Sequence, residues 1–405
     1  MSFNNRMSSS ELRATGALAS IMSLRMLGLF MIYPVFSIYA QDLPDVTPTL
    51  VGVAIGIYGL TQAAFQIPFG MLSDRFGRKP IIYMGLIIFA FGSVVAALST
   101  TIVGIIIGRV LQGGGAIAST VLALGADLTR DEHRTKAMAI IGVSIGMSFI
   151  LALLAGPFLN SWIGVSGIFW LTAGFALGGI AVLHFVVPQP ENGPIVRENE
   201  PLLTRLKKVL RDTQLLRLDI GILLLHGFIT SLFVVLPIAL VNNEVDAAHH
   251  GFVYVPILIC SVIAIIPFML IAEKYRLVKQ VFVGAIGVLG LSELGLSYFY
   301  DDFTGIVVML FFFFTAFNLL EANLPSLISK VAPHESKGTA MGVYSSSQFF
   351  GAFLGGFFGG WVHQHYGIGT IFAVSAVLTL VWFLLAATMQ SPQRVSQRTV
   401  LVGSE

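Results

Sequence analysis

Long apolar runs separated by short polar segments recur along the whole 405-residue chain. Each run approaches or exceeds the roughly 20 residues that an α-helix needs to cross the hydrocarbon core of a bilayer. Because the runs are continuous rather than alternating, they favour a helical bundle over a barrel. We count twelve runs and number them 1 to 12 in chain order: 14–39, 49–72, 81–98, 102–126, 137–162, 164–187, 215–241, 251–272, 280–300, 305–328, 339–362 and 368–389.

The composition agrees with a membrane protein. Hydrophobic residues make up 56% of the chain and charged residues 11%, and the mean hydropathy is +0.85, well above the usage of ordinary soluble domains. We therefore predict an all-α integral membrane protein of twelve helices. The one cysteine, Cys260, lies in run 8, so an intrachain disulfide is excluded, and we expect a core side chain there.

Positive charges are confined to one side of the predicted membrane. If even-numbered runs end on that side, all but two of the 23 Lys and Arg residues fall in segments facing it, and the opposite segments carry acids such as Asp42, Glu244 and Asp301. The positive-inside rule then predicts that both termini are cytoplasmic. The two remaining cations, Arg25 and Arg109, lie within runs 1 and 4.

The runs divide into two groups of six. The only long polar stretch between them ends in a short basic amphipathic sequence suited to the anionic inner leaflet. RTKAMA at 134–139 also resembles KGTAMG at 337–342. Two parallel six-helix repeats around a central cavity favour moving a substrate across the bilayer by rocking one half against the other. The predicted parts are an N-terminal bundle over 1–187, a cytoplasmic linker over 188–214, a C-terminal bundle over 215–389 and a cytoplasmic tail over 390–405.

The segment GMLSDRFGRKP at 70–80 places four charges and two glycines in the turn between runs 2 and 3. It resembles the signature GxLaDrxGrkxxl of the major facilitator superfamily. The resemblance implies that Asp74 lies against the start of run 11, near Gly338, and that Arg78 pairs with Asp127 at the end of run 4. Since a helix N-terminus stabilises a carboxylate by roughly 0.3–1 kcal/mol, we hypothesise a cytoplasmic latch that holds the two halves together. The matching residues are Gly70, Asp74, Arg75, Gly77, Arg78 and Lys79.

Two further segments resemble the drug:proton antiporter branch of this superfamily. GRVLQGGGA in run 4 resembles an RxxxG-type element, with Arg109 and Gln112 one turn apart on a single helix face. ALLAGPFLNS in run 5 keeps Gly156 and Pro157 of a GxxxGPxxGG element, where we expect a helix kink, but it lacks the outer glycines of that element.

Two longer strings extend the resemblance to YajR-like transporters. They are SLRMLGLFMIYP at 23–34 and NLLEANLPSLISK at 318–330. The resemblance implies a major facilitator fold in which runs 1, 4, 7 and 10 line the central cavity and runs 2, 5, 8 and 11 form the sliding interface between the halves.

Ionisable residues inside the predicted membrane are candidates for chemistry. Each charge at mid-bilayer costs about 2.5–3.5 kcal/mol, so it needs a partner, water or a role. At 1.5 Å per residue, His226 lies about 16 Å into run 7 and Glu321 about 11 Å from the end of run 10, so we predict that they face each other. Because burial favours the neutral form of both groups, we hypothesise that they are the proton site. The alternative is a hydrogen bond that only stabilises the bundle.

The remaining interior residues are assigned by depth and by resemblance. Arg25 lies about 16 Å along run 1, too deep to reach the surface easily, and we expect either a substrate or gating role or a structural ion pair. Arg109 resembles a position implicated in proton coupling in the superfamily. Glu293 in run 9 is expected to make an outer-interface contact. The predicted substrate cavity contains Arg25, Gln112, Asn318 and Tyr33.

Several local patterns receive a structural interpretation. The GxSxG string at 142–146 is typical of hydrolases, but it lies inside an apolar run rather than at a strand-to-helix turn. Read as GxxxG, it predicts close helix packing, as do Gly52 with Gly56 and Gly351 with Gly355. Four histidines fall in predicted outer loops, where solvation is a simpler interpretation than metal binding: His249, His250, His363 and His365. No GxxxxGK[ST] element occurs, so we expect a gradient rather than ATP to supply energy.

These observations together predict a secondary active transporter and not an enzyme. We expect alternating access with proton-coupled efflux of small amphipathic or drug-like compounds across the cell (inner) membrane. The open alternatives are a uniporter or proton symporter of a small metabolite, with anions among the options, and a transport-inactive membrane receptor on the same fold. We expect a monomer whose partners are the lipid bilayer, a small-molecule substrate and protons, with no nucleic acid, cofactor or metal.

Overall fold

The computed structural model describes residues 7–189, 202–333 and 337–389. Within these residues the chain forms helices and turns and contains no strand, so the predicted all-helical fold class is confirmed. The predicted tail over 390–405 and residues 190–201 of the predicted linker over 188–214 lie outside the described residues.

Fourteen α-helices occur in the described part of the chain. There are also two short 3₁₀ helices in this part of the chain. Ala40–Asp42 follows α2, and Ala247–His249 precedes α10. The α-helices are α1 (Ser9–Phe30), α2 (Phe36–Tyr39), α3 (Pro48–Phe76), α4 (Arg78–Leu98), α5 (Ile102–Gly114), α6 (Ala118–Asp127), α7 (Asp131–Phe185), α8 (Leu202–Arg211), α9 (Thr213–Asn242), α10 (His250–Lys274), α11 (Val278–Phe299), α12 (Phe303–Val331), α13 (Lys337–Tyr366) and α14 (Ile368–Ala387).

All twelve predicted runs fall on these helices. Nine segments of the described chain are long and apolar enough to span a membrane by length and composition. One of these nine segments contains both run 5 and run 6. Helices α1 and α13, which carry most of run 1 and all of run 11, are not among the nine. The predicted basic amphipathic sequence of the linker is the short helix α8, in which Lys207 and Lys208 are exposed and Val209 is buried.

Helix α7 carries two runs and changes direction between them. As one straight helix its 55 residues would extend about 82 Å, far more than one crossing of the hydrocarbon core requires. Gly164 interrupts it with φ +66° and ψ 177°, a backbone conformation that residues other than glycine rarely adopt. The interruption falls between runs 5 and 6, so each half of α7 has the length of one span.

The described residues cluster into two compact units. Unit 1 contains the helices up to Val46 and those from Ile57 to residue 189, and unit 2 contains Thr47–Gly56 and the helices from α8 onward. In unit 1, α1 packs on α7, and α4 packs on α5 and α7. In unit 2, α9 packs on α13, and α11 packs on α12 and α14.

Glycines bring α13 into backbone contact with two helices of unit 2. A Cβ added at Gly351 or Gly355 would overlap the backbone of Leu223 or Gly227 in α9. On another face, a Cβ added at Gly356 would overlap the backbone of Gly52 at the start of α3. The predicted close packing at the Gly52 and Gly351 pairs is therefore confirmed.

Two packing predictions are wrong. A Cβ added at Gly142 or Gly146 of α7 would meet nothing within 4 Å in the described structure, so neither glycine makes a close helix contact there. Cys260 is exposed on α10 rather than buried in the core. Both errors have one cause, since a run that is apolar on every side does not indicate which of its faces is packed.

Candidate functional site

The turn between α3 and α4 holds an ion network centred on Arg78. Its Nε donates to Oδ2 of Asp127 at 3.0 Å, and its Nη1 donates to Oγ of Ser73 at 2.7 Å and also to Oδ1 of Asp74. Gly77 permits the tight turn because it adopts φ +94° immediately before α4. The structure thus joins Arg78 to the acid at the end of α6, as the superfamily resemblance implies.

The other residues of this turn are fixed locally. Nζ of Lys79 donates to the backbone carbonyl of Val187 at 2.6 Å, which ties α4 to the end of α7. The guanidinium of Arg75 lies over the ring of Phe76, 5.3 Å from its centroid, and the carbonyl of Gly70 accepts from Oγ of Ser73 at 2.7 Å. The contact of Asp74 with the start of run 11 stays a prediction.

Two arginines lie buried in unit 1, each close to the ring of the same tyrosine. Arg25 on α1 and Arg109 on α5 are each 1% exposed. Their guanidinium carbons lie 5.6 Å and 5.3 Å from the centroid of the Tyr58 ring, and that of Arg25 also lies 5.4 Å from the ring of Phe89. Both cations are therefore held by aromatic faces deep inside the helical unit.

Side-chain amides and one backbone carbonyl accept hydrogen bonds from these arginines. Nη2 of Arg25 donates to Oε1 of Gln62 at 2.6 Å and to the carbonyl of Gly115 at 3.0 Å. Nη1 of Arg109 donates to Oε1 of Gln112 at 3.0 Å, and Nε2 of Gln112 donates to Oγ of Ser93 at 2.8 Å. The predicted pairing of Arg109 with Gln112 on one helix face is present, and α4 holds the amide in place.

Tyr33 belongs to the same region of unit 1. It is buried in the turn between α1 and α2 and lies within electrostatic range of Arg109. Of the residues predicted to line the substrate cavity, three therefore come together in unit 1: Arg25, Gln112 and Tyr33. Their role in binding a substrate stays a prediction.

Gly156 allows α7 to approach α1 closely. A Cβ at this position would lie 2.6 Å from the carbonyl oxygen of Met31 and 3.0 Å from Cγ of Pro34. Pro157 follows inside α7. Glycine is thus needed here for the contact between two helices, and the predicted kink at Pro157 stays a prediction.

A second polar cluster lies in unit 2 and joins three helices. Nδ1 of His226 on α9 is 3.9 Å from Oε2 of Glu321 on α12. Nε2 of Gln348 on α13 lies 2.8 Å from Nε2 of His226 and donates to Oε1 of Glu321 at 3.2 Å. The two side chains that depth along the runs predicted to face each other do so, and an amide lies between them.

The amide fixes the tautomer of the imidazole. An amide NH₂ group is only a donor, so Nε2 of His226 accepts and the ring proton of the neutral imidazole resides on Nδ1. That nitrogen lies 3.9 Å from Oε2 of Glu321, within ion-pair range but without a hydrogen bond between the two atoms. In this arrangement Glu321 has one oxygen on the amide and the other facing an N–H group, and a proton added to the cluster would lie between two groups able to take it.

Asn318 donates its hydrogen bond to another helix rather than to this cluster. Although it lies one turn before Glu321 on α12, its Nδ2 donates to Oγ of Ser261 on α10 at 2.9 Å. Its predicted role in the substrate cavity stays a prediction.

The sequence reasoning missed three polar residues of unit 2. Gln348 bridges the cluster, Tyr344 lies one turn before it on α13, and Asp219 is a buried acid two turns before His226 on α9. The hydroxyl of Tyr344 is within electrostatic range of both Asp219 and Glu321. Asp219 was overlooked because it falls near the start of run 7, where a polar residue is expected at the membrane boundary.

Glu293 and three of the four outer histidines are not where they were expected, whereas His249 is exposed before α10. Glu293 on α11 is 1% exposed, and neither carboxyl oxygen has a hydrogen-bond partner, so the predicted outer-interface contact is wrong. His250 is buried at the start of α10, and His363 and His365 belong to the last turn of α13 rather than to loops. Within the described residues, no group of three His, Cys, Asp or Glu is placed to hold a metal ion.

An apolar cavity of about 480 Å³ lies among α9, α13 and α14 in unit 2. The glycines that bring α9 and α13 together leave this space open, because they present no side chains to it. Its lining includes Leu223, Phe228, Leu354, Phe358 and Ile371.

The chain is similar in sequence and in fold to known membrane transporters. Residues 18–274 and 218–400 match the family model of the Major Facilitator Superfamily. The "Inner membrane transport protein YajR" of Escherichia coli (strain K12) is 48% identical over 391 residues, which cover 96% of this chain and 86% of the relative. "Multidrug resistance protein 2" of Bacillus subtilis (strain 168) is 24% identical over 384 residues, which cover 90% of this chain and 94% of the relative. A crystal structure of the nucleoside transporter NupG is similar in fold, with a TM-score of 0.75 at 15% identity over 94% of this chain and 99% of that chain.

Proposed function

Since the chain belongs to the major facilitator superfamily and is a membrane transporter, we propose that it exports small amphipathic compounds in exchange for protons by alternating access. The superfamily assignment made from residues 70–80 is confirmed by the family match over both halves of the chain. Coupling to protons, the direction of transport and the class of compound are the parts that we propose.

The cluster of Glu321, His226 and Gln348 carries the proposal. An acid and an imidazole 3.9 Å apart within membrane-spanning helices are costly unless they exchange a proton or bind a partner. Gln348 orients the imidazole so that its Nδ1 faces the carboxyl. A transporter that takes up a proton on one side and releases it on the other needs such a group, which switches between a charged and a neutral state.

The energetic requirement is modest. Each proton that moves inward contributes about 2.3 kcal/mol per 100 mV of membrane potential, before any difference in pH is counted. That amount supports export against a concentration ratio of about 50 for a 1:1 exchange of a neutral compound, since 1.4 kcal/mol corresponds to a tenfold ratio.

The relatives support the class of transport. The name of the B. subtilis relative concerns multidrug resistance, which agrees with export of amphipathic compounds. The apolar cavity in unit 2 provides contact area for an apolar group. From the name of the E. coli relative and from the distribution of Lys and Arg, we further propose an inner-membrane location with both termini in the cytoplasm.

The test uses the purified chain in sealed vesicles. Three compounds share one ring system and differ in charge: naphthalene-2-carboxylate, naphthalene-2-carboxamide and 2-naphthylmethylammonium. An imposed pH gradient should drive uphill movement of at least one of them above the leak of protein-free vesicles, and Glu321→Gln should abolish that accumulation. Glu293→Gln, at another buried glutamate of unit 2, is the matched control and should leave accumulation unchanged.

A facilitated carrier or proton symporter of a small anion is the second candidate. The two buried arginines of unit 1 favour it, because they supply positive charge where a neutral drug needs none. Equal flux with and without the pH gradient would select the facilitated carrier. Intact coupling in Glu321→Gln would remove Glu321 from the proton path.

A further inference from the structure

Two buried polar side chains of unit 2 have no part in the cluster of Glu321, His226 and Gln348. Asp219 on α9 and Tyr344 on α13 are each 4% exposed. Among the described residues, neither the hydroxyl of Tyr344 nor Oδ1 of Asp219 has a hydrogen-bond partner. Burial without a partner is costly for both groups, and an acid within a membrane-spanning helix is rarely kept without a function.

Both side chains lie on the faces through which α9 and α13 contact each other. Glycine contacts show that the two helices run parallel with a constant offset in residue number: Gly351 against Leu223, Gly355 against Gly227 and Gly359 against Ser231. Asp219 lies one turn before Leu223, and Tyr344 lies two turns before Gly351, so each shares the contact face of its own helix. The same offset places Tyr344 within one turn of Asp219 along the axis of α9.

These two residues continue the cluster towards the start of α9. Asp219 lies two turns before His226, and Tyr344 lies one turn before Gln348. The hydroxyl of Tyr344 is within electrostatic range of both Asp219 and Glu321. Asp219 is about 9 Å from the first residue of α9, the end that faces the cytoplasm in the orientation proposed above.

The other elements packed on α9 contribute few ionisable groups to the surroundings of Asp219. Helix α14 carries none, and its Trp382 lies beside Gly221. Helix α12 presents Glu321 to α9, and the 3₁₀ helix Ala247–His249 follows the other end of α9. Helix α8 packs on both α9 and α13 near the start of α9 and carries four cations: Arg205, Lys207, Lys208 and Arg211.

We propose that Asp219 is a second proton-carrying residue of this transporter and that the hydroxyl of Tyr344 passes protons between Asp219 and Glu321. A hydroxyl can accept one proton while it donates another. In one transfer, the carboxyl of Glu321 gives its proton to Oη of Tyr344, and the hydroxyl of Tyr344 gives its own proton to the carboxylate of Asp219. Two O–H bonds break and two form, and the negative charge moves from Asp219 to Glu321. The inference rests on the proposed function, since it extends the proton path from the cluster towards the cytoplasm.

Protonation is measured first, without transport. The purified chain in phosphatidylcholine nanodiscs is titrated between about pH 5 and pH 8, and infrared spectroscopy records the C=O band of protonated carboxyl groups. The amplitude that this band gains on acidification should be smaller in Asp219→Asn than in wild type, and Asp219→Glu, which keeps a carboxyl, should restore it. Glu293→Gln, at a buried acid outside the path, is the matched control and should retain the full gain. A gain that is unchanged in Asp219→Asn would overturn the proposal, because a purely structural acid does not change its protonation over this range.

Transport then tests the path through Tyr344. Two rates are compared in sealed vesicles for a naphthalene compound that wild type accumulates: uptake driven by the pH gradient, and exchange of labelled for unlabelled compound at equal pH, which needs no net proton movement. Asp219→Asn and Tyr344→Phe should lower gradient-driven uptake about tenfold or more and leave exchange close to the wild-type rate. A structural role would lower both rates alike, and that result would overturn the path. Tyr254→Phe is the control, since Tyr254 is another buried tyrosine of unit 2 whose hydroxyl has no partner among the described residues.

The two proposals fail in different ways. If the gradient drives no compound in wild type, the proton-coupled function is wrong, and a smaller infrared gain in Asp219→Asn still supports Asp219 as a proton carrier. If Glu321→Gln abolishes accumulation but Asp219→Asn and Tyr344→Phe accumulate the compound at the wild-type rate, the transporter function stands and the path through Tyr344 is wrong.

Discussion

The side-chain amide of Gln348 lies 2.8 Å from Nε2 of His226, and it is the amide nitrogen that faces the ring. The same nitrogen donates to Glu321 at 3.2 Å, so one side chain of α13 holds groups from α9 and α12 at once. Because the amide can only donate there, it selects the imidazole tautomer whose Nδ1–H faces Glu321. Helix α13 thereby determines which ring nitrogen of His226 faces the carboxyl of Glu321.

Replacing this amide should weaken coupling more than folding. We expect Gln348→Leu to reduce the initial rate of pH-gradient-driven uptake about tenfold, because a hydrogen bond to a charged group contributes roughly 1.5–3 kcal/mol and the imidazole is free to take the other tautomer. The measurement is uptake into sealed vesicles at a fixed pH gradient. Gln364→Leu, on the same helix, is the control and should retain wild-type uptake.

The pH profile distinguishes this role from a purely structural one. If Gln348 only packs between helices, Gln348→Leu should lower uptake by the same factor at every pH. If it sets the tautomer, the pH at which uptake is half-maximal should also move. An unchanged profile together with unchanged uptake would contradict the role that we assign to the amide.

The order of the helices could be predicted from the sequence because length and hydropathy alone define a membrane span. The interruption of α7 at Gly164 lies at the boundary predicted between runs 5 and 6. Which face of each helix is packed against its neighbours was not predictable. Glu293 was expected at the outer interface and is buried, whereas Cys260 was expected in the core and is exposed. A helix that is apolar on every side gives no signal of its buried face.

Residues of the candidate sites were predictable where an ionisable side chain lies in an apolar run or in a recognisable motif. Arg25, Arg109, His226 and Glu321 are ionisable residues in apolar runs, and the energetic cost of such residues marks them. Gln348 was missed because it is a neutral residue in the polar sequence YSSSQ, where nothing distinguishes it from its neighbours. What selects it is the approach of α13 to α9, and this contact between helices about 120 residues apart in sequence is not encoded locally.

The ion network of the turn before α4 should matter more for transport than for stability. Asp74 is 58% exposed and Asp127 is 42% exposed, so solvent screens their pairs with Arg78 and each contributes at most about 1 kcal/mol to folding. We expect Asp74→Asn to lower transport several-fold while membrane insertion and the melting temperature in detergent stay close to wild type. Transport at the wild-type rate would contradict any function of Asp74 in the transport cycle.

Glu11 and Arg130 form another ion pair of unit 1, at 3.1 Å. Glu11, which precedes run 1, accepts from the backbone N–H and Nε of Arg130 at 2.9 and 3.1 Å and from the backbone N–H of Ser8 at 2.7 Å. The side-chain hydrogen bond from Arg130 is the main reason that the pKa of the Glu11 carboxyl lies well below its usual range. The pair ties the start of α1 to the residue before α7.

The stabilisation by Glu11 should therefore depend on pH. A carboxyl whose pKa is lowered in the folded state stabilises the fold above its unfolded pKa of about 4.3, and this contribution is lost as the pH falls towards the folded pKa. We expect Glu11→Gln to destabilise the protein by about 1 kcal/mol at pH 7, since Arg130 is partly exposed, and the difference from wild type should shrink below about pH 4.3. Melting in detergent over this pH range measures it, with Glu273→Gln at an exposed acid as control. A difference that is constant with pH would contradict the assignment.

The packing of α13 on α9 offers a comparison within one helix. A Cβ at Gly355 would overlap the backbone of Gly227, which cannot move without displacing α9, whereas a Cβ at Gly342 would meet nothing within 4 Å. We expect Gly355→Ala to destabilise the protein by about 1–3 kcal/mol through overpacking, and Gly342→Ala to be neutral or stabilising by up to about 1 kcal/mol through helix propensity. Thermal melting of the two variants in the same detergent measures the difference. Equal melting temperatures would mean that α9 and α13 separate easily, and the cluster of Gln348, His226 and Glu321, which spans the same contact, would then lack the rigid support that fixes its geometry.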